Sequence, residues 1–212
     1  MKVEQQNNGT FYVSCPANWN LLFCEMSPVN LNVMDEKRHV IPIDNKTCEC
    51  SDITGIRCGA WCTDKPLLNL EFRVAINTVN INDVVTTTCP EGKRAISCHW
   101  KPTKIMYPAI EIHNNGNECA CYDFQGGQCM AMCATNVRYF EIVGLTSLPY
   151  SSVQQVSCNK PQNKVLSCGY TVRGAEFVNY LNQNFKVVND TTCECTAIGS
   201  YFTCYAICGI LY

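Results

Sequence analysis

One cysteine pattern, used three times, limits what this chain can fold into more than any other feature. In its first copy Cys48-Glu49-Cys50 precedes a turn containing Gly55 and then Cys58-Gly59-Ala60-Trp61-Cys62. The second copy runs from Cys119-Ala120-Cys121 through Gly126 and Gly127 to Cys129-Met130-Ala131-Met132-Cys133. The third runs from Cys193-Glu194-Cys195 through Gly199 to Cys204-Tyr205-Ala206-Ile207-Cys208. Repetition of this kind means one supersecondary unit built three times. Side chains at i, i+2 and i+4 of a strand share a face. Cys48 with Cys50, and Cys58 with Ala60 and Cys62, therefore point to one side, and the spacing predicts a β-hairpin with Cys50 opposite Cys58. The alanine at the same place in each copy (Ala60, Ala131, Ala206) has a steric reading. Disulfides flank it, and a bulkier neighbour would hold apart Cβ atoms that must approach to about 3.5–4.5 Å.

Two more cysteines lead each copy: Cys15 and Cys24, Cys89 and Cys98, Cys158 and Cys168. Eighteen cysteines in 212 residues, with 47% hydrophobic residues between and around them, point to a disulfide scaffold. Such bridges persist in an oxidising compartment, so the expectation is a secreted protein or one on the extracellular face of the cell surface or in a secretory organelle. A zinc or metallothionein-like cage is the competing use of so many thiols. No Cys-x-x-Cys pair occurs and histidine stands only at 39, 99 and 113, so no metal site is expected. The frame divides the chain into cysteine-rich modules at 11–78, 79–149 and 150–212. Leu68, Leu70, Phe72, Val74 and Ile76 alternate with Asn69, Glu71, Arg73 and Asn77, which predicts a strand closing the first module or bordering the second. Residues 137–143 read as the same closing strand, and 209–212 as one barely begun. Modules of this size bury too little apolar surface to be secure without staples. Six cysteines allow fifteen pairings, and spacing alone does not choose among them.

The run Cys89-Pro90-Glu91-Gly92-Lys93-Arg94-Ala95-Ile96-Ser97-Cys98 resembles the Cys-Pro-x-Gly…(Gly/Ser)-Cys segment of resistin. It is equally similar to the three-module, cysteine- and histidine-rich C-terminal domain of the LDL-receptor-degrading proprotein convertase. Thr191-Thr192-Cys193-Glu194-Cys195 and the Gly…Ala-x-Cys endings extend the likeness to all three modules. The resemblance implies an all-β protein of three tandem disulfide-rich antiparallel β-sandwich (jelly-roll-like) modules in a pseudo-threefold arrangement. It also implies Cys15–Cys62 and Cys24–Cys48, Cys89–Cys133 and Cys98–Cys119, and Cys158–Cys208 and Cys168–Cys193, with Cys58 the competitor of Cys62 for Cys15. The remaining bridges, Cys50–Cys58, Cys121–Cys129 and Cys195–Cys204, are expected by position alone, because Cys-x-x-x-Cys stands where those relatives end in Cys-Cys. Their histidine richness is missing here as well.

Catalysis is not expected, and neither is a cofactor. His39 closes the charged run Asp35-Glu36-Lys37-Arg38-His39, read as a solvated loop; His99 follows Cys98; His113 precedes the turn-like Asn114-Asn115-Gly116. None recurs in the other modules, and no nucleophile-elbow, zinc-protease or phosphate-loop motif occurs. A net charge of −2 gives no electrostatic grip on nucleic acid, and no stretch approaches the roughly 20 apolar residues of a membrane helix. The N-terminus lacks the apolar run of a secretory signal, which suggests a mature or excised form. What remains is a non-enzymatic protein that binds an extracellular protein partner through loops on a rigid frame: a receptor ligand, or an adhesin of the kind found in parasites with AT-rich genomes, to which the Asn, Ile and Lys content is similar. The segments 26–46, 99–117 and 169–191 vary while the cysteines do not, and Trp100, Tyr107, Phe177 and Tyr180 are candidate anchors there. The alternative is a structural or assembly role in a coat or complex, or the non-catalytic C-terminal domain of a larger secreted enzyme. Asn8, Asn45 and Asn189 head glycosylation sequons, the last two in matching places before the hairpin.

Overall fold

The computed structural model describes residues 2–7, 11–28, 39–50, 56–78, 83–101, 110–113, 116–123, 126–146, 153–173, 184–196 and 201–212. They form eighteen strands and no α-helix, six strands to each copy of the cysteine pattern. The first copy comprises β1 (Lys2–Asn7), β2 (Phe11–Ser14), β3 (Asn20–Pro28), β4 (Val40–Pro42), β5 (Thr47–Cys50) and β6 (Ile56–Thr63). The second comprises β7 (Glu71–Ile76), β8 (Asp83–Thr88), β9 (Arg94–Lys101), β10 (Ile110–His113), β11 (Glu118–Asp123) and β12 (Gln128–Ala134). The third comprises β13 (Val137–Thr146), β14 (Val153–Ser157), β15 (Lys164–Arg173), β16 (Asn184–Asn189), β17 (Thr192–Thr196) and β18 (Tyr201–Leu211).

Strand pairing repeats with the sequence. In every copy the sixth strand is central to one antiparallel sheet (β1-β6-β3, β7-β12-β9, β13-β18-β15). The fifth is central to a second (β2-β5-β4, β8-β11-β10, β14-β17-β16). The two central strands are therefore not a hairpin, as their cysteine spacing predicted, but face each other from opposite sheets. Period-two alternation says which side chains share a face; it does not say whether the next strand lies beside that face or across from it.

All nine disulfides run between the paired sheets. They join Cys15–Cys62, Cys24–Cys48 and Cys50–Cys58; Cys89–Cys133, Cys98–Cys119 and Cys121–Cys129; and Cys158–Cys208, Cys168–Cys193 and Cys195–Cys204. Their Cα–Cα distances of 5.5–6.0 Å are those of ordinary bridges. The alanines sit at the centre of this framework. Ala60 is opposite Cys24 in the ladder, Ala131 opposite Cys98 and Ala206 opposite Cys168. Each is thus hemmed by three bridges, one across the strand and two along it, and each is buried to within 1%.

The strands read as closing a module open the next one. β7 hydrogen-bonds to β12 and β13 to β18, so boundaries at 78 and 149 cut these strands from the sheets they belong to. Residues 209–212 are the end of β18 and its flank, not a stunted closing strand. The alternation expected from 68 to 77 also breaks. Asn69 has φ +53, the ladder starts only at Glu71, Leu68, Val74 and Ile76 are about half exposed, and Asn77 is buried.

The three copies contact one another cyclically. β4 of the first packs on β9 of the second, β10 of the second on β15 of the third, and β16 of the third on β3 of the first. The first of these contacts is a true ladder step, Val40 opposite Trp100, which fuses two sheets into the six-stranded β2-β5-β4-β9-β12-β7. The third strands, β3, β9 and β15, touch each other at the middle of the ring.

Candidate functional site

The middle of the ring is built from the residues on either side of the second cysteine in each copy. Cys24, Cys98 and Cys168 turn into their own sandwiches, so their neighbours Phe23 and Glu25, Ser97 and His99, and Ser167 turn out toward the other copies. All five are buried to 2% exposure or less. Phe23 stacks on His99 at 5.7 Å and meets Phe185 at 5.6 Å, joining β3, β9 and β16. Glu25 Oε2 accepts the Val187 amide of β16 at 3.1 Å. Space for Glu25 comes from Gly59 across the ladder, where a Cβ would lie 2.7 Å from Glu25 Cγ. His99 Nε2 is 3.0 Å from Ser97 Oγ, and the ring also hydrogen-bonds to the Val40 backbone of β4. Burial pushes the His99 imidazole down to about 3, against the smaller opposing effect of the Val40 bond, so it is neutral in the folded protein. Because Glu25, His99 and Gly169 occupy one position with three identities, sequence comparison between copies hid their shared place.

His39 is not in a solvated loop. Its Nε2 is 3.0 Å from Glu49 Oε1, which also accepts Lys101 Nζ at 3.1 Å, so the group spans the junction of β5 and β9. Burial alone would raise the Glu49 carboxyl, but the hydrogen bonds from His39 and Lys101 outweigh it and hold it below its usual range. Glu194, at the same position in the third copy, is also held low, by hydrogen bonds from Lys186 and Gln155. The Glu49 group ties the first copy to the second, whereas the Glu194 group lies across the third copy's own sheet β14-β17-β16. His113 lies in β10 opposite Glu118.

The variable segments divide. Residues 40–42, 110–113 and 184–189 are the fourth strands, which hold the ring together. What is left, 29–38, 102–109 and 174–183, lies outside the described residues, and with it Tyr107, Phe177 and Tyr180. In the chain these stretches follow the three mutually touching strands β3, β9 and β15. Trp100 is half buried against Val85 and the disulfide cluster of the second copy, with Nε1 enclosed and lacking a hydrogen-bond partner. It faces the interior and is no exposed anchor.

Asn45, in the turn before β5, and Asn189, the last residue of β16, are both exposed, but one residue out of step. At the position of Asn189 the first copy has Asp44, whose Oδ1 accepts the amides of Lys46 and Thr47 at 2.7 Å. Asn189 Oδ1 accepts both the amide (2.9 Å) and hydroxyl (3.0 Å) of Thr191 in an Asx turn. Asn8 lies outside the described residues.

Among the described residues this is a disulfide-stapled all-β protein in which Glu25, His99 and the His39–Glu49–Lys101 group serve junctions between copies. No family model matches the chain, and no curated protein matches it.

Proposed function

We propose that this chain is an extracellular, non-enzymatic protein whose variable segments bind a partner protein, presented together from one end of a disulfide-stapled ring. The observation that supports it most is the division of labour between copies. Bridges, alanines and sheet order repeat, whereas 29–38, 102–109 and 174–183 differ in sequence and are anchored at equivalent strand ends. Recognition by loops on a rigid frame uses that arrangement. The bridges support an oxidising compartment, and Asn8, Asn45 and Asn189 are its proposed glycan acceptors. The resemblance to resistin and to the convertase domain is a further proposal, supported by three bridges per copy; both relatives act through protein surfaces.

The test is a screen of the oxidised protein against extracellular receptors and matrix proteins, beside a variant with 29–38, 102–109 and 174–183 replaced by Gly/Ser linkers. Binding lost in the variant at unchanged melting temperature is the expected result. A partner held equally by both proteins, or tight affinity only for a component of its own secretory complex, would replace this reading with an assembly role.

A further inference from the structure

The opposite end of the ring carries exposed side chains that the framework does not use. Sixth strands run antiparallel to third strands, with Asn20 opposite Thr63, Arg94 opposite Ala134 and Lys164 opposite Gly209. The chain therefore leaves each copy at the end away from the variable segments. Asn136, buried to 1%, gathers the three exits there. Its Oδ1 accepts the Leu68 amide at 2.8 Å, and its Nδ2 donates to the carbonyls of Pro66 at 2.7 Å and Tyr212 at 2.9 Å. Leu68 and Tyr212 are thereby neighbours, 47% and 52% exposed. The Arg138 guanidinium lies 4.0 Å from the centre of the Tyr212 ring, and the next residue, Tyr139, is 57% exposed with Lys160 Nζ 5.5 Å from its ring.

Tyr139 is the telling residue. Its φ of +53 is in the left-handed region, where an aromatic side chain is disfavoured and asparagine is tolerated. The matching residue one copy earlier is Asn69, also at φ +53. An exposed tyrosine in that conformation adds strain without adding core, and strain kept at a surface marks a site used for something other than stability. Charge indicates the kind of partner. Arg138 and Lys160 are exposed and, among the described residues, neither is ion-paired. Glu141 nearby turns its carboxylate inward, to Asn163 Nδ2 at 2.7 Å and the Lys160 amide at 3.3 Å.

We propose that Leu68, Arg138, Tyr139, Lys160 and Tyr212 form a second docking surface, for an acidic segment of a partner protein. Tyrosine and arginine are the side chains that most often anchor such contacts. The surface adds a face to the binding reading and does not depend on the variable segments.

The experiment selects a displayed library of short random peptides on the intact, oxidised protein. The expected winners combine Asp or Glu with Leu or aromatic residues and lose about tenfold or more in affinity on Arg138→Glu and on Tyr139→Asn, the loss of an anchor residue. Tyr139→Asn copies the residue of the preceding copy, so its melting temperature should be unchanged or raised. The winners should bind the Gly/Ser-linker variant undiminished, which separates this surface from the proposed one. Selection without an acidic consensus, or affinities on both substitutions within about threefold of the original, would overturn the proposal. So would a sulfated-glycan array bound through Arg138 while no peptide is enriched.

Discussion

Asn136→Ala should be the most damaging single substitution at an uncharged polar residue outside the sandwiches. The amide makes three hydrogen bonds to backbone groups, Pro66 and Leu68 at the exit of the first copy and Tyr212 at that of the third, at 2.7–2.9 Å, in a site 1% exposed. Alanine leaves one amide and two carbonyls without that partner. At about 1 kcal/mol for each bond, the expected loss is about 3 kcal/mol. For a chain of this length that corresponds to a fall in melting temperature of roughly 6–12 °C. Calorimetry without reductant measures it, with the exposed Asn159→Ala as the control. Asn136→Asp sharpens the test. It keeps the acceptor for the Leu68 amide but sets a buried carboxylate against two carbonyl oxygens, so at neutral pH it should melt below the alanine variant. A melting temperature for Asn136→Ala within about 2 °C of the parent would refute the claim that this side chain ties the three exits together.

Acid should loosen the ring before it loosens the sandwiches. The folded pKa of His99, about 3, lies below its ordinary 6.5, so its contribution is complete above pH 6.5 and is lost as pH falls toward 3, at about 1.4 kcal/mol per unit. Denaturant titrations at pH 7 and pH 5 should differ by about 2 kcal/mol in the parent and by much less in His99→Gln; equal differences would reject the assignment. Ala131→Leu, forced among Cys129, Cys133 and Cys98, should cost roughly 1–3 kcal/mol by overpacking, read as a lowered melting temperature. Gly116→Ala should cost at least as much, about 2 kcal/mol, because φ is +88 and the new methyl would enter the space of the Phe140 ring; a partial recovery with Phe140→Leu would identify the clash as the cause.

The alternation Thr47-Cys48-Glu49-Cys50 appears in the fold as outward and inward residues in that order, and the threefold copy of the cysteine pattern appears as a threefold copy of sheet order. Both are local properties: a strand's faces follow from its period, and equal segments make equal strands. The hairpin reading failed at the next level. Whether β6 lies beside β5 or across from it depends on where each strand finds a hydrogen-bonding neighbour, and of those neighbours, β2 and β4 for β5 and β1 and β3 for β6, all but β4 are distant in sequence. The same holds for β7 and β13, whose composition marks a strand but not which hairpin will take it.

The site was less legible than the frame. Trp100, a candidate anchor by its place in a variable segment, faces inward; His39, in a charged run that suggests a solvated loop, sits against Glu49 and Lys101. Glu25, Ser167 and Asn136 carry no signal in the sequence, because a polar residue becomes informative only when it is known to be buried. From its sequence alone, then, this protein's β class, its period and its disulfide-rich character follow, because cysteine spacing and alternation act within a few residues. The facing of the central strands, the handing of a strand from one copy to the next and the polar seam at the ring's middle belong to the tertiary structure, because each is settled by which distant surface removes a given face from water.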